Sequence, residues 1–237
     1  MRSVEDHYWW YVGLHSLVAQ VARARLAAQA VILDAGCGTG GMLKVLHTTM
    51  PQARLSGVDA SPEAVELANQ RGLCPVQLAR IEALPFAAGA FDAVICLDVL
   101  YMRGVDERAA VEEFRRVLQP GGPLILNLPA FEFLRGEHDL AVAGERRYTK
   151  ARVAALLEGF QIETLTYWNA TLFPFVALVR ALSRFRDAQH APRSDLKPLP
   201  SLVNGALAWL IRAEFAVARR CPLPFGSSVF AVARKAR

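Results

Sequence analysis

At 237 residues, with 53% hydrophobic and 21% charged side chains, the chain can bury one full core and is too apolar for a disordered segment. Its four cysteines, Cys37, Cys74, Cys96 and Cys221, lack the spacing of a zinc site or a disulfide framework, so no metal is expected. The net charge of +5 hides a split: from position 180 onward 11 Lys and Arg stand against 3 Asp and Glu, which leaves 16 against 19 in residues 1–179.

The basic residues are not interleaved with a nucleic-acid-reading motif, which argues against a nucleic-acid partner. No charge-free apolar run reaches the ~20 residues of a membrane span. The polar, acidic start carries no signal-peptide pattern, so a cytoplasmic protein is expected.

In chain order, an aromatic segment containing His7, Tyr8, Trp9, Trp10 and Tyr11 precedes apolar residues at helical spacing over 14–28. Residues 31–34 read as a buried strand, 41–48 as a helix and 54–59 as a second strand. Ser61-Pro62-Glu63 is an N-cap, a proline and a first-turn acid that open a helix to about residue 71. Strands follow over 76–79 and 91–97. Asp106 caps a helix to residue 118, and Pro120-Gly121-Gly122 stops it before a strand over 124–128. A helix over 149–157, a strand over 161–167 and a last strand over 228–233 complete the pattern.

Strands alternating with helices predict one α/β domain: a doubly wound, Rossmann-like, mostly parallel sheet with helices on both faces and an antiparallel final strand. An N-terminal lid or helix (1–29) precedes the core (30–168). A helical insertion (169–225) precedes the last strand (226–237). That insertion holds two apolar helical stretches, 172–185 and 202–217, around a proline-rich break over 192–200. Arg180 and Arg184 fall on one face of the first. Such a segment suits a lid, a dimer surface, or peripheral contact with a membrane or lipid-like substrate.

The most informative stretch joins the first strand to the first following helix. Gly36-Cys37-Gly38-Thr39-Gly40-Gly41 satisfies G-x-G-x-x-G, the dinucleotide fingerprint, in which glycines permit a tight turn and close backbone approach to a ligand. Asp34, two residues before the first glycine, would repel a pyrophosphate and attract an ammonium or a sulfonium. Asp59, at the end of the second strand, can accept hydrogen bonds from both hydroxyls of a ribose.

These residues resemble the class I S-adenosylmethionine-dependent methyltransferases. Asp34-Ala35-Gly36-Cys37-Gly38-Thr39-Gly40 is similar to the family's first motif and Gly57-Val58-Asp59-Ala60-Ser61 to its acidic loop. Glu82-Ala83-Leu84-Pro85-Phe86 with the strand from Phe91 to Leu100 is similar to its adenine-side loop and fourth strand, and Arg115 to Gly122 to the turn before its fifth. His7-Tyr8-Trp9-Trp10, His138-Asp139, Arg146-Arg147-Tyr148 and Leu223-Pro224-Phe225-Gly226 resemble a bacterial subgroup whose members occur among biosynthetic genes. Two positions depart from the family pattern: Arg80 replaces an acceptor for the adenine amino group, and Met102 stands where relatives carry histidine.

The resemblance implies S-adenosylmethionine as cofactor, held by Asp34, Gly36, Cys37, Gly38, Gly40, Asp59, Ala60, Ile81, Glu82 and Leu97. Trp9, Trp10 and Tyr11, with Trp10 the first choice, either close over the sulfonium by cation–π contact or pack the N-terminal helix. It implies methyl transfer to O, N or C of a small, hydrophobic or anionic acceptor by metal-free in-line displacement. His138 is the first choice of general base, with Tyr148 and Asp98 as further catalytic candidates. Tyr101, Asn127, His138, Arg146 and Arg147 are the candidates for contact with the acceptor. The alternatives are a protein that binds S-adenosylmethionine without methylating and, further off, a nicotinamide-dependent oxidoreductase.

Overall fold

A computed structural model describes residues 5–183, 199–218 and 221–236. The chain runs α1 (Trp9–Arg25), β1 (Val31–Ala35), α2 (Gly41–Thr49), β2 (Arg54–Asp59), α3 (Pro62–Asn69), β3 (Val76–Leu78), β4 (Ala93–Leu97), α4 (Glu107–Val117) and β5 (Pro123–Pro129). A 3-10 turn (Glu132–Leu134), α5 (Glu137–Ala141), α6 (Lys150–Leu156), β6 (Phe160–Trp168), α7 (Phe173–Ser183), α8 (Ser201–Ala218) and β7 (Ser228–Lys235) follow.

The seven strands form one sheet in the order β3-β2-β1-β4-β5-β7-β6. β1 to β5 are mutually parallel, and β7 runs antiparallel to both β5 and β6. The expected antiparallel last strand is thus present. Alternation along the strands divides the core between the two faces. Ile32, Ile95, Ile125 and Phe230 pack on one side with α1, α2 and α8. Leu33, Val94, Leu126 and Ala231 pack on the other with α4 and α6. Because both faces are covered, the central strands read as unbroken apolar runs.

Local signals set most boundaries. Ser61 Oγ accepts from Ala64 N at 3.3 Å to start α3, and Asp106 accepts from Arg108 N and Ala109 N to start α4. α4 buries Ala110, Val111, Phe114 and Val117, one stripe at helical spacing.

Three of the boundaries that differ from the sequence reading bear on the site or have a local cause. The expected aromatic N-terminal helix is present as α1, but it begins at Trp9, five residues before the periodic stretch, and so holds Trp9, Trp10 and Tyr11. α3 stops at Asn69 because the Asn69 side chain bonds both the N–H and the C=O of Val76, tying the helix end to β3. Phe91 precedes β4 and pairs only with Leu118, in an isolated bridge. The expected helix over 172–185 is described as far as Ser183; Arg184 and residues 192–198 of the proline-rich break lie outside the described residues.

Candidate functional site

The strand order reverses between β1 and β4, and in such sheets ligands lie beyond the carboxyl ends of the strands at that point. A cleft of about 640 Å³ opens there. Asp34 and the glycine turn contribute from β1, Asp59 and Ala60 from β2, Arg80, Ile81 and Glu82 after β3, and Leu97, Asp98 and Tyr101 from β4.

Its floor is built by positive-φ glycines. Gly36 has φ +80°, and a Cβ there would meet Val99 Cγ2 at 2.3 Å. Gly38 has φ +54°, but among the described residues a Cβ there would meet only Glu5 Oε1, at 4.0 Å, and the glycine lines the cleft. Asp59 Oδ2 accepts from Gly38 N at 2.9 Å and Asp59 Oδ1 from Ser61 N at 2.9 Å, which joins the β2 loop to the turn. Gly40 does not line the cleft. It is the left-handed N-cap of α2, packed against Arg71.

Asp34 is 2% exposed and its Oδ2 has no hydrogen-bond partner among the described residues. Burial, then the nearby carboxylates of Glu5 and Asp59, push its carboxyl well above the ordinary range. An uncompensated buried carboxylate at a ligand cleft calls for a cationic partner.

Glu5 is a residue that sequence reasoning missed. It accepts from Gly41 N at 3.1 Å and from the Thr39 hydroxyl, and so occupies the first turn of α2. In dinucleotide-binding folds that helix terminus receives the pyrophosphate. Here the protein's own carboxylate fills it. Arg71, 5% exposed, secures the strap through Asp6 at 3.1 Å and Thr39 O at 2.6 Å. His15 was missed as well. It stands one helical turn after Tyr11, and both line the cleft. Burial lowers the His15 pKa to about 4, so the ring is neutral at neutral pH.

The β4 end carries the other acid. Asp98 has φ +55°, lines the cleft, and receives Asn127 Nδ2 on both oxygens, at 3.0 and 2.9 Å. Asn127 is fully buried and accepts from Trp168 Nε1 at 2.7 Å, which fixes which end of its amide faces Asp98. Burial raises the Asp98 pKa to about 7, against the lowering effects of Asn127 and the Arg147 charge. Tyr101 lines the cleft beside it, its phenol pushed up by burial and by Asp98.

Several expected site residues lie elsewhere. Trp10 does not face the cleft; its ring packs 5.7 Å from Trp168, and its helix neighbour Tyr11 takes the cleft position. Asn127 is enclosed and acts on Asp98, with no surface left for an acceptor. Arg147 is bidentate to Asp139 (2.9 and 3.0 Å) and donates to Ala130 O, while Arg146 pairs with Glu145 at 3.0 Å and Glu107 at 3.6 Å. These arginines order the loop after β5. His138 lies in α5, and its side chain is outside the described residues. The departure at Arg80 is resolved locally: its guanidinium donates to Glu82 Oε1 at 2.7 Å and to Gly104 O at 2.8 Å.

Tyr148 is buried, with its hydroxyl 2.5 Å from Glu107 Oε2 and 3.1 Å from Leu100 O. Its contacts join the β5 loop to α4, away from the cleft. Tyr148→Phe is expected to cost about 1.5–3 kcal/mol of stability, the usual loss of a hydrogen bond to a charged group. Turnover should be unchanged; a loss of rate without a fall in Tm would return the residue to the site.

A doubly wound sheet with a glycine turn at the switch point, an acid before it and an acid on the next strand define a Rossmann-like cofactor-binding domain. Residues 32–122 match the methyltransferase domain family, and the chain carries a class I, S-adenosylmethionine-dependent methyltransferase domain. It is 33% identical over 169 residues to an uncharacterized 37.1 kDa transposon protein of Streptomyces fradiae, spanning 67% of this chain and 48% of that one. It is 34% identical over 143 residues to a malonyl-[acyl-carrier protein] O-methyltransferase of Herminiimonas arsenicoxydans, spanning 56% and 54%. The chain thus spans about half the length of these curated relatives. Among solved structures, the fold is similar to geranyl diphosphate C-methyltransferase from Streptomyces coelicolor in complex with Mg2+, geranyl diphosphate and S-adenosyl-L-homocysteine. The TM-score is 0.60 at 17% identity, covering 94% of this chain and 81% of that one.

Proposed function

We propose that the chain transfers a methyl group from S-adenosylmethionine to a small-molecule acceptor, with Asp98 as the proton acceptor. The observation that carries the reading is the unpartnered Oδ2 of buried Asp34 at the glycine turn. A ligand with an ammonium and a sulfonium satisfies it, whereas a dinucleotide pyrophosphate meets Asp34 and Glu5, both acidic. Asp34, Gly36, Cys37 and Gly38 would hold the amino-acid end, Asp59 and Ala60 the ribose, and Ile81, Glu82 and Leu97 the base.

When bound, the cofactor supplies an electrophilic methyl carbon. The protein's part is alignment and exclusion of water. Tyr11 and His15 wall the cleft from α1, and Asp98 and Tyr101 from the β4 end. An acceptor hydroxyl or amine that must lose its proton can give it to the Asp98 carboxylate. The Trp168-to-Asn127 chain holds that carboxylate in one orientation. With its pKa raised to about 7, Asp98 can take up and release a proton near neutral pH.

Incubation of small-molecule extracts with methyl-deuterated S-adenosylmethionine, read by mass spectrometry, tests the reaction. A label-shifted product is expected; calorimetric binding of NAD without S-adenosylmethionine binding would overturn it. For Asp98, the log rate should rise with pH and level off above about 7, since the base works only when deprotonated. Asp98→Asn should lower turnover by ~10²-fold or more and remove that rise. A pH profile unchanged by Asp98→Asn would exclude it as the base.

A further inference from the structure

We infer that the α7 and α8 faces form a docking surface for an anionic lipid bilayer. On α7, Phe175, Leu178, Val179 and Leu182 are 68%, 57%, 43% and 58% exposed. Their spacing of three, four and seven residues places them on one helical face. The helix is anchored at its start, where the Phe173 ring meets Phe131, Phe133 and Phe225 at 5.3–6.1 Å. The exposed face is therefore held in place and not a frayed end.

α8 repeats the arrangement. Ala208, Ile211, Phe215 and Ala218 are buried against the body of the protein. Leu202 and Trp209, seven residues apart, are 87% and 69% exposed. At 18 residues and mean hydropathy 1.2, α8 is long and apolar enough to cross a membrane by composition. Its buried stripe packs against α1 and the sheet, so the helix lies along a surface and does not span. Its one acid, Glu214, is turned inward to the amides of Ala170 and Thr171 at 2.9 and 2.7 Å.

Charge selects the occupant. Residues 180–220, from the last turn of α7 to just past α8, carry eight Lys and Arg against three Asp and Glu, while residues 1–179 are net acidic at 16 to 19. α7 contains no acidic residue. A second copy docked on this face would bring two basic segments together. An anionic bilayer instead neutralises them while the leucines and tryptophan enter the headgroup boundary.

The full chain should co-sediment with vesicles of phosphatidylglycerol and phosphatidylcholine at least tenfold more than with phosphatidylcholine alone, and the excess should fall as salt rises. Leu202→Glu/Trp209→Glu, at two exposed positions, should lose that binding at least tenfold while keeping its affinity for S-adenosylmethionine. Binding indifferent to lipid charge, or none, would overturn the inference. So would a dimer by analytical ultracentrifugation that the double variant dissolves. Vesicle binding and cofactor calorimetry are separate readouts, so failure here leaves the methyl-transfer reading standing, and the reverse holds as well.

Discussion

Gly38→Val is expected to abolish measurable S-adenosylmethionine binding, a loss of about 100-fold or more by calorimetry, without unfolding the chain. Two physical effects add. The residue stands at φ +54°, where a β-branched side chain is strained; the left-handed region costs roughly 1–2 kcal/mol for a residue with a Cβ. For a domain of this size that lowers Tm by roughly 2–4 °C per kcal/mol. The second effect is on the ligand alone. Among the described residues only Glu5 Oε1, at 4.0 Å, lies within 4 Å of the new Cβ, so the valine methyls project into the cleft. Gly36→Val differs in kind, because its Cβ would meet Val99 at 2.3 Å and disturb β4 packing before any ligand arrives. Gly38→Ala should fall between wild type and valine in affinity. Unchanged affinity in Gly38→Val would remove the turn from the binding site.

The glycine-turn end of the cleft was legible because its signals are local in sequence. Asp34, the glycines and Asp59 sit at strand ends that hydrophobic runs define, and a strand end in an open α/β sheet is already a place in the site. The candidates for contact with an acceptor were less legible because residue type alone picks them out. Arg147 and Asp139 form a pair across eight residues, and Tyr148 meets Glu107 across 41, so groups that looked reactive are satisfied. Asn127 carried no sign of its buried contacts to Asp98 and Trp168, which lie 29 and 41 residues away.

Glu5 was hidden for the same reason: its partners Thr39 and Gly41 are 34 and 36 positions on. The N-terminal helix shows the limit of composition. Trp10 has the richer ring for cation–π contact, yet its position on α1 turns it to Trp168 and turns Tyr11 to the cleft. The two faces separate only in a helix that starts at Trp9, five residues before the helical spacing of apolar residues shows itself at Leu14.

Asp34→Asn is expected to raise Tm in the absence of ligand and to remove S-adenosylmethionine binding, opposite effects from one substitution. In the free protein the Asp34 carboxylate is buried, has an unpartnered oxygen and faces Glu5 and Asp59, so its ionised form is disfavoured. The amide is an isosteric polar group that removes the buried charge and its repulsion by Glu5 and Asp59, and each kcal/mol so gained should raise Tm by roughly 2–4 °C. The pH dependence has a fixed sign. The carboxyl pKa is raised on folding, so the folded state binds more protons and wild-type stability falls as pH climbs above the unfolded carboxyl value of about 3.9. The Tm gap between variant and wild type should therefore be smallest near pH 4 and widen toward neutrality. Differential scanning fluorimetry across that range reads the gap, and calorimetry at neutral pH reads the ligand. A cationic ligand reverses the balance, because it supplies the partner that Oδ2 lacks. Saturating S-adenosylmethionine should lift wild-type Tm and leave Asp34→Asn unmoved. A variant that is less stable than wild type at neutral pH would mean that Asp34 is already compensated in the free protein. The strain attributed to it would then have no part in selecting the cofactor.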